Sequence, residues 1–265
     1  MLNKFKIIIR ILIYKFGLEI HKKSLLNQID DPFFVLSKLL DGQKIKLIVD
    51  GGASIGDTSA RFSSLFPHAV IHAFEPFPKF YNILKKNCSR NLLIKPHDNA
   101  LSDTNGQKIL NINKSEGTNS LLKTKLDKNH HHHDLLTPVG SVEVKTITLD
   151  ELFPNAIIDI LKLDLQGGEF DALIGAKELI SNHKINSILC EIIFDKHYQS
   201  QKNGTELLSF IESNGFSLFN FYQCNYHQGK LIQADALFFH KSTQTLINKN
   251  ADKYFMQFSK YLNLS

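Results

Sequence analysis

Five acids in this sequence share one setting: each stands at or beside the end of a short apolar run. Asp50 follows Leu47-Ile48-Val49, Glu75 follows Ala73-Phe74 and Asp98 follows Pro96-His97. Asp164 follows Leu161-Lys162-Leu163, and Glu191 follows Leu189-Cys190. Carboxylates in such a row accept hydrogen bonds from hydroxyls, attract positive charge and repel phosphate. Asp164 and Glu191 are also groups that take a proton from a weak nucleophile, or that together hold a divalent metal which acidifies it. Each acid alone has a plainer use as the cap of a following helix. Recurrence at all five positions favours a ligand. His197, six residues beyond Glu191, is a further candidate base, although a surface position also accounts for it.

The first acid opens a glycine-rich loop, Asp50-Gly51-Gly52-Ala53-Ser54-Ile55-Gly56. Glycines allow positive φ and close approach of backbone to a ligand, and the N–H groups at the start of a following helix receive a carboxylate. Glu75 comes nineteen residues after Gly56, close to the separation of a ribose-binding acid at the end of a second strand. No Gly-Lys-Ser/Thr follows, which excludes a P-loop. Ala53 stands where a dinucleotide fingerprint has glycine. S-adenosylmethionine meets these requirements, with its ribose diol, ammonium and sulfonium and no phosphate.

These residues need a scaffold that brings strand ends together. Apolar runs at Lys46–Val49, Ala69–Phe74, Leu92–Lys95, Ile158–Leu163, Ser187–Cys190, Phe216–Phe221 and Ala236–Phe239 alternate with helical patterns. The helices fall at Asp31–Leu40, Asp57–Phe66, Pro78–Asn87, Glu169–Leu179 and Thr205–Ser213. Such alternation predicts βαβ units and a parallel α/β sheet, with ligands outside the carboxyl ends of its strands. The short connection between the last two runs predicts an antiparallel hairpin. Lys108–Asn113 and Ser141–Thr146 break the rhythm as a pair of exposed strands. The polar stretch between them, residues 114–138, carries His130–His133, which read as solvated. The expected division is an N-terminal helical extension over 1–42, one domain over 43–241 with an insertion at about 103–148, and a helical tail over 242–265.

Composition narrows the partners. The formal charge of +5 is concentrated in residues 1–23, which carry Lys4, Lys6, Arg10, Lys15, Lys22 and Lys23 against Glu19. The remainder is balanced, which disfavours nucleic acid. Cys88, Cys190 and Cys224 have no paired spacing, so neither a disulfide framework nor a zinc site is expected, and a cytoplasmic setting is. Ile7–Phe16 is apolar but too short and too charged to span a bilayer. It reads as a helix packed on the domain or on a second copy of the chain, or as a basic helix on the inner face of a membrane.

The ordered motifs resemble the FkbM-type methyltransferases, from about Val49 to Phe239. They are Asp-Gly-Gly-Ala-Ser-Ile-Gly at 50–56, Ala-Phe-Glu-Pro at 73–76 and Asn-Ala-Leu-Ser-Asp at 99–103. Thr148-Leu149-Asp150, Leu161-Lys162-Leu163-Asp164-Leu165-Gln166-Gly167 with Glu169, and Gly175-Ala176 follow. Gly51 replaces a β-branched residue, Ser54 an asparagine and Gln166 a glutamate; the last bears against metal coordination at that position. The resemblance implies a doubly wound, Rossmann-like class I methyltransferase sheet. It also implies transfer of a methyl group to a sugar or other small-molecule hydroxyl, in glycan or secondary-metabolite biosynthesis. Carried over, Asp50, Gly52, Ser54 and Gly56, with Gly51 and Ala53 between them, hold the methionine part of the cofactor. Glu75, beside Pro76, takes the ribose hydroxyls. Asp98, Asn99 and Ala100 lie at the adenine, and Asp164 lies beside the methyl. Asp164 or Glu191 serves as base, with or without magnesium. An NAD-dependent oxidoreductase and a non-catalytic binding module of the same fold are the competing expectations.

Overall fold

The computed structural model describes residues 29–125 and 134–262. The N-terminal segment 1–23 and His130–His133 lie outside the described residues. In chain order the elements are α1 (Pro32–Leu39), β1 (Leu47–Gly51), α2 (Asp57–Leu65), β2 (Val70–Phe74), α3 (Pro78–Cys88) and β3 (Ile94–His97). Next come β4 (Asn99–Leu101), β5 (Gly106–Asn113), β6 (Pro138–Ile147), α4 (Leu149–Leu152), β7 (Ile160–Leu163), α5 (Glu169–Ile174) and α6 (Lys177–Ser181). The chain continues with β8 (Ser187–Ile193), α7 (Gly204–Ser213), β9 (Phe216–His227), β10 (Lys230–His240) and α8 (Gln244–Leu262).

The apolar runs form a seven-stranded sheet in the order β3-β2-β1-β7-β8-β10-β9. The strands from β3 to β8 are parallel, while β10 runs antiparallel to both of its neighbours. The chain moves outward from β1 to β3, then returns to the other side of β1 with β7. The carboxyl ends of β1 and β7 therefore flank the topological switch point, where open α/β sheets bind ligands. Strands covered on both faces read as continuous apolar runs, and every residue of β7 and β8 is buried. One face packs Leu36, Leu39, Phe62, Leu84 and Ile247 against the sheet. The other packs Leu149, Leu173, Leu179, Leu207 and Ile211.

Local chemistry sets the helix ends. Asp31 caps α1 by accepting from Phe33 N at 3.0 Å, with Pro32 at the first helical position. Asn203 and Glu206 form a reciprocal capping box on α7. The single helix expected over Glu169–Leu179 is two. A Cβ on Gly175 would lie 2.0 Å from Ser102 O, so the chain breaks where a glycine touches the neighbouring backbone. The Asp150 carboxylate then caps α6 by accepting from Glu178 N and Leu179 N, both at 2.9 Å. The third strand starts two residues later than its apolar run, because Asn91 turns the chain by accepting from Leu93 N at 3.0 Å. The hairpin β9–β10 is longer than expected, and Gln228 (φ 49°) and Gly229 (φ 76°) make its turn.

The strands β4, β5 and β6 form a second sheet, in the order β4-β6-β5. The expected strand pair is present as β5 and β6, and β4 joins it directly after β3. The pair is not exposed throughout, because Leu110 and Val144 bury one face against Phe77 and Ala100. No helix among the described residues is long and apolar enough to cross a membrane.

Candidate active site

An open cleft lies at the carboxyl ends of β1, β2 and β7, with the second sheet as its far wall. Gly52 and Ser54 from the first loop, Glu75 and Pro76 after β2, and Asn99 and Ala100 from β4 line it. So do Asp164 and Gln166 after β7.

The first loop is held by backbone. Gly52 N and Ala53 N donate to Phe74 O at 3.0 and 2.9 Å. Gly52 has φ 74°, and a Cβ on it would fall 1.9 Å from Asp164 O, so this position is closed to any side chain. Asp50, the expected cofactor contact, is fully buried beneath the loop and is not on the cleft wall. It accepts from Ser59 Oγ at 2.6 Å and lies 3.3 Å from Lys162 Nζ. Lys162 in turn donates to Gly51 O and Gly52 O at 3.1 and 3.0 Å. Burial alone would lower the Lys162 ammonium, but Asp50 and then Asp164 hold it above its ordinary value. Lys162 is not among the site residues expected from the sequence. The signal was one lysine inside Ile160-Leu161-Lys162-Leu163, in a strand that is otherwise apolar.

Glu75 sits at the end of β2 with its carboxylate fixed by two backbone donors, Ser54 N at 2.9 Å and Phe77 N at 2.8 Å. Burial pushes it up to about 7, against the pull of those two donors. Gly51, Ala53 and Gly56 support the loop from outside the cleft. Gly56 takes φ 100° at the start of α2, packed against Leu84 and Cys88. Asp98 also lies off the cleft wall, half exposed and 3.7 Å from Lys145 Nζ.

The two candidate bases occupy different environments. Asp164 lines the cleft and its side chain is 42% exposed. Glu191 is buried behind Gln166 and does not reach the cleft wall. Gln166 Nε2 donates to Asp164 Oδ1 at 2.9 Å and to Glu191 Oε2 at 3.2 Å, and Gln233 Nε2 bonds the other Glu191 oxygen. Burial, then Asp164, push Glu191 well above the ordinary carboxylate range, and the same causes bring Asp235 to about 6. His197 is buried, not on the surface, and its backbone N–H donates to Gln201 Oε1 at 3.0 Å.

The remaining wall comes from residues for which the sequence offered no signal. Phe80, Leu110 and Leu121 make an apolar side, and Glu116, Gly117, Asn119 and Ser120 close over the cleft. This strip of the insertion is tied across the site. Ser120 Oγ donates to Gln166 O at 2.7 Å, and the Tyr198 hydroxyl lies 2.9 Å from Thr118 O. Lys125 N donates to His197 O at 2.9 Å.

Glu75 and Asp164 at this switch-point cleft, with an apolar wall opposite, suit a ligand that carries hydroxyls. The methyltransferase FkbM domain matches residues 50–218, and the chain belongs to that family. It is a methyltransferase whose methyl donor is S-adenosylmethionine. Similar proteins include the 2-O-methyltransferase NoeI of Sinorhizobium fredii, 27% identical over 63% of this chain and 71% of that one. Methyltransferase sdnD of Sordaria araneosa is 30% identical over 49% of this chain and 60% of its own. Among solved structures, the magnesium protoporphyrin IX methyltransferase ChlM of Synechocystis, with bound SAM, superposes with a TM-score of 0.44. It is 12% identical, over 78% of this chain and 76% of that one. An rRNA methylase of Streptococcus thermophilus superposes with a TM-score of 0.46, at 11% identity over 80% and 96% of the two chains.

The residues fit the cofactor. Glu75 keeps lone pairs for hydroxyls, and Phe80, Leu110 and Leu121 offer a dry face to a purine. Asn119 Nδ2 is a buried donor with no partner in the cleft wall. They do not fit a divalent metal. The point between Asp164 and Glu191 is taken by the amide nitrogen of Gln166, a donor that repels a cation. Among the described residues no cluster of His, Cys, Asp and Glu is arranged as a ligand set.

Proposed function

We propose that this protein methylates a hydroxyl oxygen of a sugar or other small molecule, with Asp164 taking the hydroxyl proton. The observation that carries this reading is the position of Asp164. It is an acid open to the cleft at the end of β7, across the switch point from the glycine loop. A hydroxyl is a weak nucleophile, and a carboxylate within reach removes its proton as attack proceeds. The name of NoeI, a 2-O-methyltransferase, supports oxygen as the acceptor atom. The balanced charge beyond residue 23 supports a small molecule or glycan over nucleic acid.

S-adenosylmethionine supplies a methyl group already activated by its sulfonium, so the protein's work is alignment. Glu75 accepts the ribose hydroxyls with the lone pairs that Ser54 N and Phe77 N leave free. Asn99 and Ala100, with Phe80, Leu110 and Leu121, bound the adenine, and Asn119 Nδ2 donates to the ligand. Gly52 and Ser54 border the methionine moiety, with Asp50 and Lys162 fixing the loop from below. Held by these residues, the cofactor would present its methyl group to an acceptor oxygen in the cleft, with attack proceeding from about 3 Å. The acceptor's proton passes to Asp164, 3.8 Å from the Lys162 ammonium.

The test has two parts. Calorimetry with S-adenosylhomocysteine on the full chain should give saturable binding; a folded sample with no heat at millimolar ligand overturns the cofactor site. Transfer of labelled methyl to a panel of mono- and oligosaccharides should then identify an acceptor. With that acceptor, Asp164→Asn should lower turnover by about 10²–10⁴-fold while cofactor affinity changes less. Unchanged turnover removes Asp164 from the chemistry.

A further inference from the structure

We infer that Gln166 is a positioning residue: its amide ties Asp164 to Glu191, aims the Asp164 carboxylate into the cleft, and keeps divalent cations out. The inference rests on the site described under the proposed function.

The turn that carries Gln166 is unusual for its residue types. Gln166 has φ 53° and Gly167 φ 91°, two successive residues in the left-handed region. A non-glycine residue is uncommon there and persists when its surroundings impose it. Those surroundings are explicit. Glu169 Oε1 accepts from Leu165 N at 2.7 Å and from Gly167 N at 3.2 Å. Ser120 Oγ donates to Gln166 O at 2.7 Å. A Cβ on Gly167 would lie 2.9 Å from Tyr198 Cδ2, so the turn packs against that ring. The backbone is held from three directions, and its effect is to direct the Gln166 side chain between two carboxylates.

The amide orientation follows from chemistry. The Asp164 carboxylate requires a donor, and the NH2 group has two hydrogens, one reaching Asp164 Oδ1 and one reaching Glu191 Oε2. The carbonyl end lies 3.2 Å from the Tyr198 hydroxyl, whose single proton, kept by burial, is shared between Gln166 Oε1 and Thr118 O at 2.9 Å. Turned over, the amide would set its oxygen against the Asp164 carboxylate. The ionisable groups around Asp164 are Lys162, whose Nζ is 3.8 Å from Oδ2, and the acids Glu75, Glu169, Glu191 and Asp235. Lys162 and Gln166 hold opposite oxygens of Asp164. With Gln166 gone, only the lysine below the loop holds the carboxylate, and it swings away from the cleft. A divalent cation between Asp164 and Glu191 would need an acceptor where Gln166 offers N–H, so the amide both replaces the cation and bars it.

Two measurements on the full chain test this. Binding of Mn2+, followed by electron paramagnetic resonance, should be absent in the wild type and present at one ion per chain in Gln166→Glu. The ratio of affinities for S-adenosylmethionine and S-adenosylhomocysteine, from calorimetry, reports whether Asp164 faces the sulfonium. Gln166→Leu should lower that ratio about threefold to tenfold, whereas a loosened fold would weaken both ligands alike. Tyr198→Phe, which removes only a hydroxyl, should lower it in the same direction by less, and it stands in if the Gln166 variants do not fold. Stoichiometric Mn2+ binding by the wild type, a Gln166→Glu that binds none, or an unchanged ligand ratio in folded Gln166→Leu and in Tyr198→Phe overturns the inference. Failure of the wild type to bind S-adenosylhomocysteine overturns the cofactor site instead.

Discussion

The loops after β1 and β7 lie side by side at the switch point, and both use positive φ, yet they are built differently. The first, Asp50–Gly56, is glycine-rich. Its carbonyls at Gly51 and Gly52 are gathered by Lys162, and its N–H groups at Gly52 and Ala53 are gathered by Phe74 O. Its side chains mostly point away from the cleft. The second, Asp164–Gly168, holds Gln166 in the left-handed region as the first holds Ser54 (φ 49°), but it presents its side chains to the cleft and to one another. The first loop shapes a space with backbone, and the second fills a space with chemistry. The two meet where Gly52 touches Asp164 O, so each depends on the other for its position.

The sharpest way to break the first loop is Lys162→Met. Asp50 would remain fully buried with its ammonium partner gone, which should cost about 3–5 kcal/mol in denaturant unfolding. A loss below 1 kcal/mol would mean that Lys162 does not hold the loop. Next comes Gly52→Ala. Its methyl would overlap Asp164 O and move both loops, with an expected loss of about 2–4 kcal/mol and of S-adenosylhomocysteine binding.

Glu75 sharpens the comparison through pH. Its folded value is raised to about 7 from 4.5, so the folded state keeps a proton that the unfolded chain gives up. Its contribution to stability therefore falls as pH rises from 4.5 to about 7, and is level above that. Melting temperatures of the wild type relative to Glu75→Gln should decline between pH 5 and pH 8; a parallel pair of curves would contradict the burial of this acid. Against the second loop, Ser120→Ala removes two neutral hydrogen bonds, the one its hydroxyl donates to Gln166 O and the one it accepts from Leu122 N, and should cost about 1–2 kcal/mol, the smallest effect of the set.

How far the sequence reveals this arrangement depends on whether the cause is local. Apolar runs, the glycine loop and the acid after the second strand each carry their reason within a few residues. They led to the sheet, the hairpin and the cleft wall at Gly52, Ser54, Glu75 and Asp164. Features set by distant partners were hidden. The break at Gly175 depends on Ser102, which is 73 positions away. The burial of Asp50 depends on a lysine from β7, and the screening of Glu191 from the cleft depends on the fold of one glutamine side chain. The strip 116–121 reads as a polar insertion until Tyr198 draws it over the site.

The placement of β10 has a consequence for the order in which the protein can become competent during synthesis. β8, buried along its whole length, gains its second neighbour only when β10 inserts between it and β9. β10 also brings Gln233, a partner of Glu191, and Asp235 beneath the acids of the site. A nascent chain that has emerged through residue 218, the end of the family match, holds the glycine loop, Glu75 and Asp164 but only half of the enclosure around β8. Its exposed β8 edge is a pairing hazard until the hairpin arrives. The tight turn at Gln228–Gly229 shortens that interval, because β10 folds back onto β9 as soon as both have been made.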